Sequence, residues 1–405
     1  MHGTERMGPI RGTQVEVFGA ALRLGLTSFG GPIAHIGYFH REYVERRKWL
    51  AEGTYLDLVA LCHLLPGATS SQVGIGIGLL RAGWTGALAA WVGFTLPSAL
   101  ALVTFALVTS GIDLAGAGWA HGLKLAAVAI VATAVLSMWR SLAPDLPRRA
   151  IALLATAIIL ATGAGMVQVA VIVAGGALGW RLLSMPGIEV PDDAPSPVGR
   201  RGGLVALALF FVLLLGLPLA ELVTRQEWVG VVDGFYRAGA LVLGGGHVVL
   251  PLLDESVVRP GWVSNETFLA GYGAAQAMPG PLFTVAGFIG ASLEVAPSGV
   301  GGAAVALGAI FLPSFLLVVA AFPYWDQLRR SASFRGAMAG ANAAVIGLLI
   351  AALYRPLWTS SVGSAVDVVL IGGAFLALAW RQAPPWLVVA VLAVLGQVIQ
   401  SLSVG

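Results

Sequence analysis

The chain has 405 residues, 58% of them hydrophobic and 11% charged, with a formal charge of +3. A soluble globular domain carries roughly 25% charged residues, so most of this chain is solvated by lipid. A single cysteine, Cys62, excludes an intrachain disulfide framework and a thiolate metal cluster; no cofactor is expected, and arginines scattered through loops exclude a nucleic-acid-binding tract.

The first residues, MHGTERMGPIRG, are basic and lack a small-residue cleavage site, so no removable signal peptide is expected. An opening span follows at 14–38, carrying Arg23 and then Gly30, Gly31 and His35. The mixed-charge stretch YFHREYVERRKWL reads as a surface helix anchored by Trp49. Next comes an apolar pair, 54–80, interrupted by HLLPGATSSQVG with Pro66 and Gly67. Spans at 84–110, 119–140, 149–163 and 166–184 complete the first half. A Pro-, Asp- and Gly-rich linker occupies 185–203, and 204–222 is an apolar span with no counterpart at the start of the chain.

The second half opens at 228–250 with Arg237 and LVLGGGHVVLPLL, which contains Gly245, Gly246 and His247. Its interrupted pair, 265–292, carries QAMPGPLFTVAG with Pro279, Gly280 and Pro281. Spans at 299–325, 335–356, 363–380 and 385–402 follow. Arg23, Gly30-Gly31, Trp49, Thr54, Leu56, Pro66-Gly67 and Leu96-Pro97-Ser98 recur as Arg237, Gly245-Gly246, Trp262, Thr267, Leu269, Pro279-Gly280 and Leu312-Pro313-Ser314. The offset stays between 213 and 216, the mark of an internal repeat.

The expected fold is therefore an all-α polytopic membrane protein of two homologous helical repeats, residues 1–185 and 228–405, joined by a linker and extra helix at 186–227. Long apolar windows without strand alternation exclude a barrel. Counting each interrupted pair as one crossing gives about 13 crossings and an inverted second repeat, with loop Lys and Arg divided 14 inside to 6 outside. If the pairs re-enter instead, the repeats are parallel and the division is 13 to 7. Inversion is favoured because transporters with broken helices use it.

Polar groups in such spans are costly. A cation at the bilayer centre costs about 2.5–3.5 kcal/mol, so Arg23 and Arg237 are either interfacial anchors or anion ligands, and a guanidinium fork suits a tetrahedral oxyanion. Half-helices starting at the Pro-Gly breaks expose free N–H groups and a positive dipole end. Gly67, Thr69, Ser70, Ser71 and Gln72, with Gly280 and Thr284, are the binding candidates there. Gly30, Gly31, Gly245 and Gly246 serve close packing or local unwinding. His35, His63 and His247 are structural hydrogen-bonding groups or, alternatively, proton carriers. No Walker loop, dinucleotide fingerprint or hydrolytic triad occurs; His63 with Asp57 is the best pair available to a membrane enzyme acting on lipid phosphates.

SFGGPIAHIGYFHREYVERRKWL, LPGATSSQVGIGIGLLRAGWTGALAAWVGFTLPSA, RAGALVLGGGHVVLPLL and GYGAAQAMPGPLFTVAGFIGA together resemble the chromate ion transporter family in its long, two-domain form. The resemblance covers roughly 12–140 and 228–356. It implies a bacterial inner-membrane carrier that exports chromate and confers chromate resistance, with two halves of opposite orientation and sulfate as a related substrate. Ala68 departs from the family's Pro-Gly-Pro, and His63 stands where glutamine is usual. Import or exchange of sulfate or another oxyanion is the alternative function. Chromate, the lipid bilayer and a homodimer mate are the expected partners.

Overall fold

The computed structural model of the chain describes residues 12–162, 166–183 and 197–404, and every regular element among them is helical. α1 (Gln14–Thr27) starts on Thr13, whose hydroxyl accepts from the Glu16 N–H at 3.2 Å, and it stops at Ser28. α2 (Gly31–Phe39) restarts after Gly30 and Gly31 and runs on as a π-helical turn, His40–Arg46. Both glycines have positive φ, +98° and +77°. That left-handed region costs other residues about 1–2 kcal/mol. The two ends of this pair meet again: the Gly12 N–H donates to the Arg81 carbonyl (3.1 Å), and the Arg81 guanidinium lies 5.0 Å from the Trp49 ring centre. The expected single span 14–38 is thus a hairpin that turns back at Ser28–Gly31.

α3 (Glu52–Leu64) and α4 (Thr69–Thr109) flank the first Pro-Gly break. Leu58 packs against Gly76, whereas residues 18 apart in one straight helix would lie about 27 Å apart. This pair, expected as one crossing, is therefore also a hairpin. α4 itself reverses at Ala82–Gly83, where the dihedrals leave the helical region and Gly78 comes against the Gly86 carbonyl. Its first segment closes the hairpin, and its second, from residue 84, is a long apolar helix.

α5 (Gly118–Leu142), α6 (Leu146–Thr162) and α7 (Met166–Leu182) follow. The expected linker lies mostly outside the described residues. α8 (Arg200–Thr224) is the extra apolar helix, with Leu204, Val205, Leu215 and Leu219 exposed along it as lipid contact requires. α9 (Glu227–Leu241) then repeats α1, and a 3-10 turn (Gly246–Val248), α10 (Val249–Leu253) and a π-turn (Asp254–Val258) repeat α2. Gly234 faces Ser256 across this pair. α11 (Asn265–Ala275), a 3-10 turn (Leu282–Thr284) and α12 (Val285–Ala291) repeat the Pro-Gly hairpin, with Gly271 against the Phe288 ring. Each half thus begins with two hairpins.

α13 (Gly299–Ala321), the short α14 (Trp325–Arg330), α15 (Ala332–Ala352), the turn α16 (Thr359–Ser361), α17 (Ala365–Ala379) and α18 (Pro385–Val404) complete the chain. Among the described residues, six helical stretches are long and apolar enough to cross a membrane, including α4, α5, α8 and α13. The halves interlock through their last helices. α6 and α7 pack on α15 of the other half, and α17 and α18 pack on α5. Small residues permit these approaches: Gly122 lies against the Leu392 carbonyl of α18, and Gly340 against the Gly175 carbonyl of α7. Polar ties reinforce them, including Thr156 donating to the Gly347 carbonyl (3.2 Å) and the Trp119 N–H donating to Gln397 (3.2 Å).

Candidate functional site

The four hairpin tips are Ser28–Gly31, Leu65–Ala68, Val242–Gly245 and Gln276–Pro281, and they meet. The Gly67 N–H donates to the Val242 carbonyl (2.7 Å), and the Gly280 N–H donates to the Ser28 carbonyl (2.8 Å). Val242 is the counterpart of Ser28, and Gly280 of Gly67. One bond is therefore the other with the halves exchanged. Each satisfies an orphan group that a broken helix leaves behind. The Leu-Pro-Ser motifs back the tips: the Ala68 N–H donates to the Ser314 hydroxyl (3.2 Å), and a Cβ on Gly280 would lie 2.9 Å from Ser98 Oγ and 3.2 Å from the Phe94 carbonyl.

α2 and α4 start at these tips, as do the turns leading into α10 and α12. Their first N–H groups and positive dipole ends are directed at one region from both halves. Open space reaches it, because Gly30 and Gly244 are exposed although the tip residues around them are buried or half-buried. Several hydroxyls and amides here are buried without a hydrogen-bond partner: Ser28 Oγ, Ser71 Oγ, Gln72 Oε1, Thr95 Oγ1 and Gln276 Nε2. Buried polar atoms are ordinarily satisfied, so a set left open around helix starts is suited to a polar ligand. The three hydroxyls and the Gln276 amide N–H can donate with no carboxylate competing, which favours an anion, whereas Gln72 Oε1 only accepts.

A family model described as chromate transporter matches residues 15–180 and 229–397. The chain belongs to the chromate transporter family. Among its relatives are a chromate transport protein of Cupriavidus metallidurans, 29% identical over 93% of this chain and 91% of the relative, and a probable chromate transport protein of Synechococcus elongatus, 29% identical over 94% of each. A chromate transport protein of Pseudomonas aeruginosa is 27% identical over 82% of this chain and 79% of that protein. No solved structure matches. The chain is accordingly a multi-pass membrane transport protein, not an enzyme.

In this transporter the residues anticipated from the Pro-Gly motifs do come together. Gly67, Ser70, Ser71, Gln72, Gly280 and Thr284 are buried and Thr69 is half-buried. Some are already engaged: Gln72 Nε2 donates to the Pro66 carbonyl (2.6 Å), and the Thr284 hydroxyl to the Pro281 carbonyl (2.7 Å). Pro279 precedes Gly280 as Pro66 precedes Gly67. Gly246 starts its 3-10 turn after Gly245, whose φ is +159°. His35 Nδ1 is 3.2 Å from Ser70 Oγ, and its ring meets Phe94 edge-on, fixing α2 to α4. His247 Nδ1 is 2.9 Å from the Tyr272 hydroxyl. His63 is exposed.

The two arginines have different surroundings. Arg237 is ion-paired with Asp233 one turn earlier in α9, in a cavity of about 210 Å³ that Glu221 and Glu255 also line. None of the tip residues borders that cavity. Arg23 is exposed on α1, and among the described residues no carboxylate pairs with it; the place of Asp233 is taken there by Gly19. Motif reading passed over Ser28, Thr95, Lys124 and Asn342, which sit outside the Pro-Gly signatures. Lys124 and Asn342 are buried in α5 and α15, and Asn342 Oδ1 would be 3.4 Å from a Cβ on Gly244. A lone lysine in an apolar 20-residue run was the signal available for the former.

Proposed function

We propose that the chain exports chromate across a bacterial inner membrane, holding the tetrahedral dianion where the four tips meet. The observation that carries this reading is the exchanged pair of tip bonds, Gly67 to Val242 and Gly280 to Ser28. They bring the half-helix starts of both repeats to one place beside unsatisfied hydroxyls. The chromate-transport names of the relatives supply the substrate.

The topology follows from the hairpins. If both hairpins of a half re-enter from one side, the second segment of α4 and then α5, α6 and α7 make four crossings, and α8 turns the second half over. The repeats are inverted and the chain crosses nine times. Loop charge supports this. Of the 21 lysines and arginines among the described residues, Arg23, Lys124 and Arg237 fall within the membrane, Arg225, Arg259 and Arg355 on the far side, and the other 15 on the side of the N-terminus, which is cytoplasmic. Alternating access is then a rocking of one half against the other around the tips.

An inside-negative potential favours outward movement of anions by about 2.3 kcal/mol per charge per 100 mV, so a dianion needs no further driving ion. The test is uptake of labelled chromate into everted vesicles under an imposed potential. Saturable uptake that collapses with the potential is expected; uptake indifferent to the potential would overturn potential-driven export. Sulfate, isosteric with chromate, is the second reading, and suppression of chromate uptake by excess sulfate is its expected sign.

A further inference from the structure

Lys124 has no account in the fold. It is 8% exposed in the middle of the helical packing, and among the described residues its ammonium makes no ion pair or hydrogen bond. Lysine is almost never buried without a partner, and an unpaired charge in a low-dielectric interior is among the costliest groups a protein can hold. A side chain so nearly enclosed, with its ammonium unpaired, is suited to an anion.

Its position relative to the tips follows from the packing of α5 on α11. Gly122 and Gly340 are equivalent, since each seats the exchanged helix of the other half, α18 and α7 respectively. Two residues further on stand Lys124 and Asn342. Asn342 lies against the Gly244 tip, with its Oδ1 unsatisfied. For Lys124 the direct contact is one residue away: the carbonyl of Leu123 lies under Gly273, three residues before Gln276 and the second Pro-Gly tip. The cation and the amide thus flank the junction from α5 and α15, the two helices about which the halves are exchanged.

We propose that Lys124 is the charge partner of the transported dianion. This rests on the reading of the tip junction as the anion site. The tip N–H groups and hydroxyls recognise oxygen by neutral hydrogen bonds, which hold an oxyanion of any charge. Lys124 adds a charge that the empty protein leaves uncompensated, so occupancy by a dianion relieves a cost that an uncharged solute leaves in place. Asn342 on α15 carries no charge and can offer only its Nδ2 donors, leaving the bound ion one net negative charge and a shallow enough well to leave.

The experiment is thermal unfolding of purified transporter in detergent with and without chromate, together with chromate uptake in proteoliposomes, for wild type, Lys124→Met and Lys124→Arg. Wild type is expected to unfold at higher temperature with chromate. Lys124→Met is expected to be more stable than wild type without ligand, to lose the chromate-dependent shift, and to raise KM by about tenfold or more. Lys124→Arg is expected to restore part of the shift. A Lys124→Met protein that is less stable than wild type yet stabilised by chromate to the same degree would overturn the proposal. Absence of any chromate effect on wild type, with no uptake, would instead overturn the anion site itself.

Discussion

Gly280 leaves no room for a side chain: its φ is +94°, and a Cβ would press on Ser98 Oγ and the Phe94 carbonyl. The dihedral alone penalises alanine by about 1–2 kcal/mol. Gly280→Ala is expected to lower the unfolding midpoint and to abolish uptake, because the N–H that reaches Ser28 must move. Uptake at the wild-type rate would mean that the tip geometry is dispensable. Gly19 is the opposite case, with open space around its Cβ position. Gly19→Asp is expected to pair with Arg23 as Asp233 pairs with Arg237. If Arg23 draws the anion in from the cytoplasmic side, the initial rate of chromate uptake into everted vesicles falls while insertion is unaffected. An unchanged rate would make Arg23 an interfacial anchor.

At the scale of elements, the decisive feature is that apolar stretches long enough to cross do not all cross. Leu58 and Gly76 touch in the hairpin and would be about 27 Å apart in a straight span. In a background with buried Cys62 replaced by alanine, Leu58→Cys with Gly76→Cys is expected to form a disulfide under mild oxidation. No cross-link would restore the single broken crossing. The sequence marks where these helices break, because Pro66-Gly67 and Pro279-Gly280 have no other reading in an apolar run. Whether the chain continues or returns after a break is decided by contacts such as Leu58 on Gly76, which local pattern does not encode. SFGG and LVLGGG were legible as packing or unwinding sites. That they are hairpin tips is a matter of the positive φ at Gly30, Gly31 and Gly244, which any glycine permits and none requires.

For the whole molecule, the repeat and the membrane class were open to reading because landmark spacing and hydropathy are one-dimensional. The crossing count was not. Treating the opening helices as spans and the Pro-Gly pairs as the only breaks forces a choice between inverted repeats and re-entrant hairpins. Folding both elements back removes the conflict, and in the proposed topology it puts Arg41, Arg46, Arg47 and Lys48 on the side of the N-terminus with most of the other basic loops. The helix breaks at Pro66 and Pro279 were likewise legible. Lys124 and Asn342 were not, since their approach to the tips depends on exchange of the last helices between halves.

The central claim, an anion site at the junction of the four tips, is tested most directly by the concentration dependence of chromate uptake in proteoliposomes containing wild type or the double variant Ser28→Ala, Ser71→Ala. Both hydroxyls are buried and unsatisfied, and a hydrogen bond to a charged group contributes about 1.5–3 kcal/mol. The account predicts saturable wild-type uptake and a KM for the variant raised roughly tenfold or more, with equal amounts of folded protein. An unchanged KM would place the substrate elsewhere.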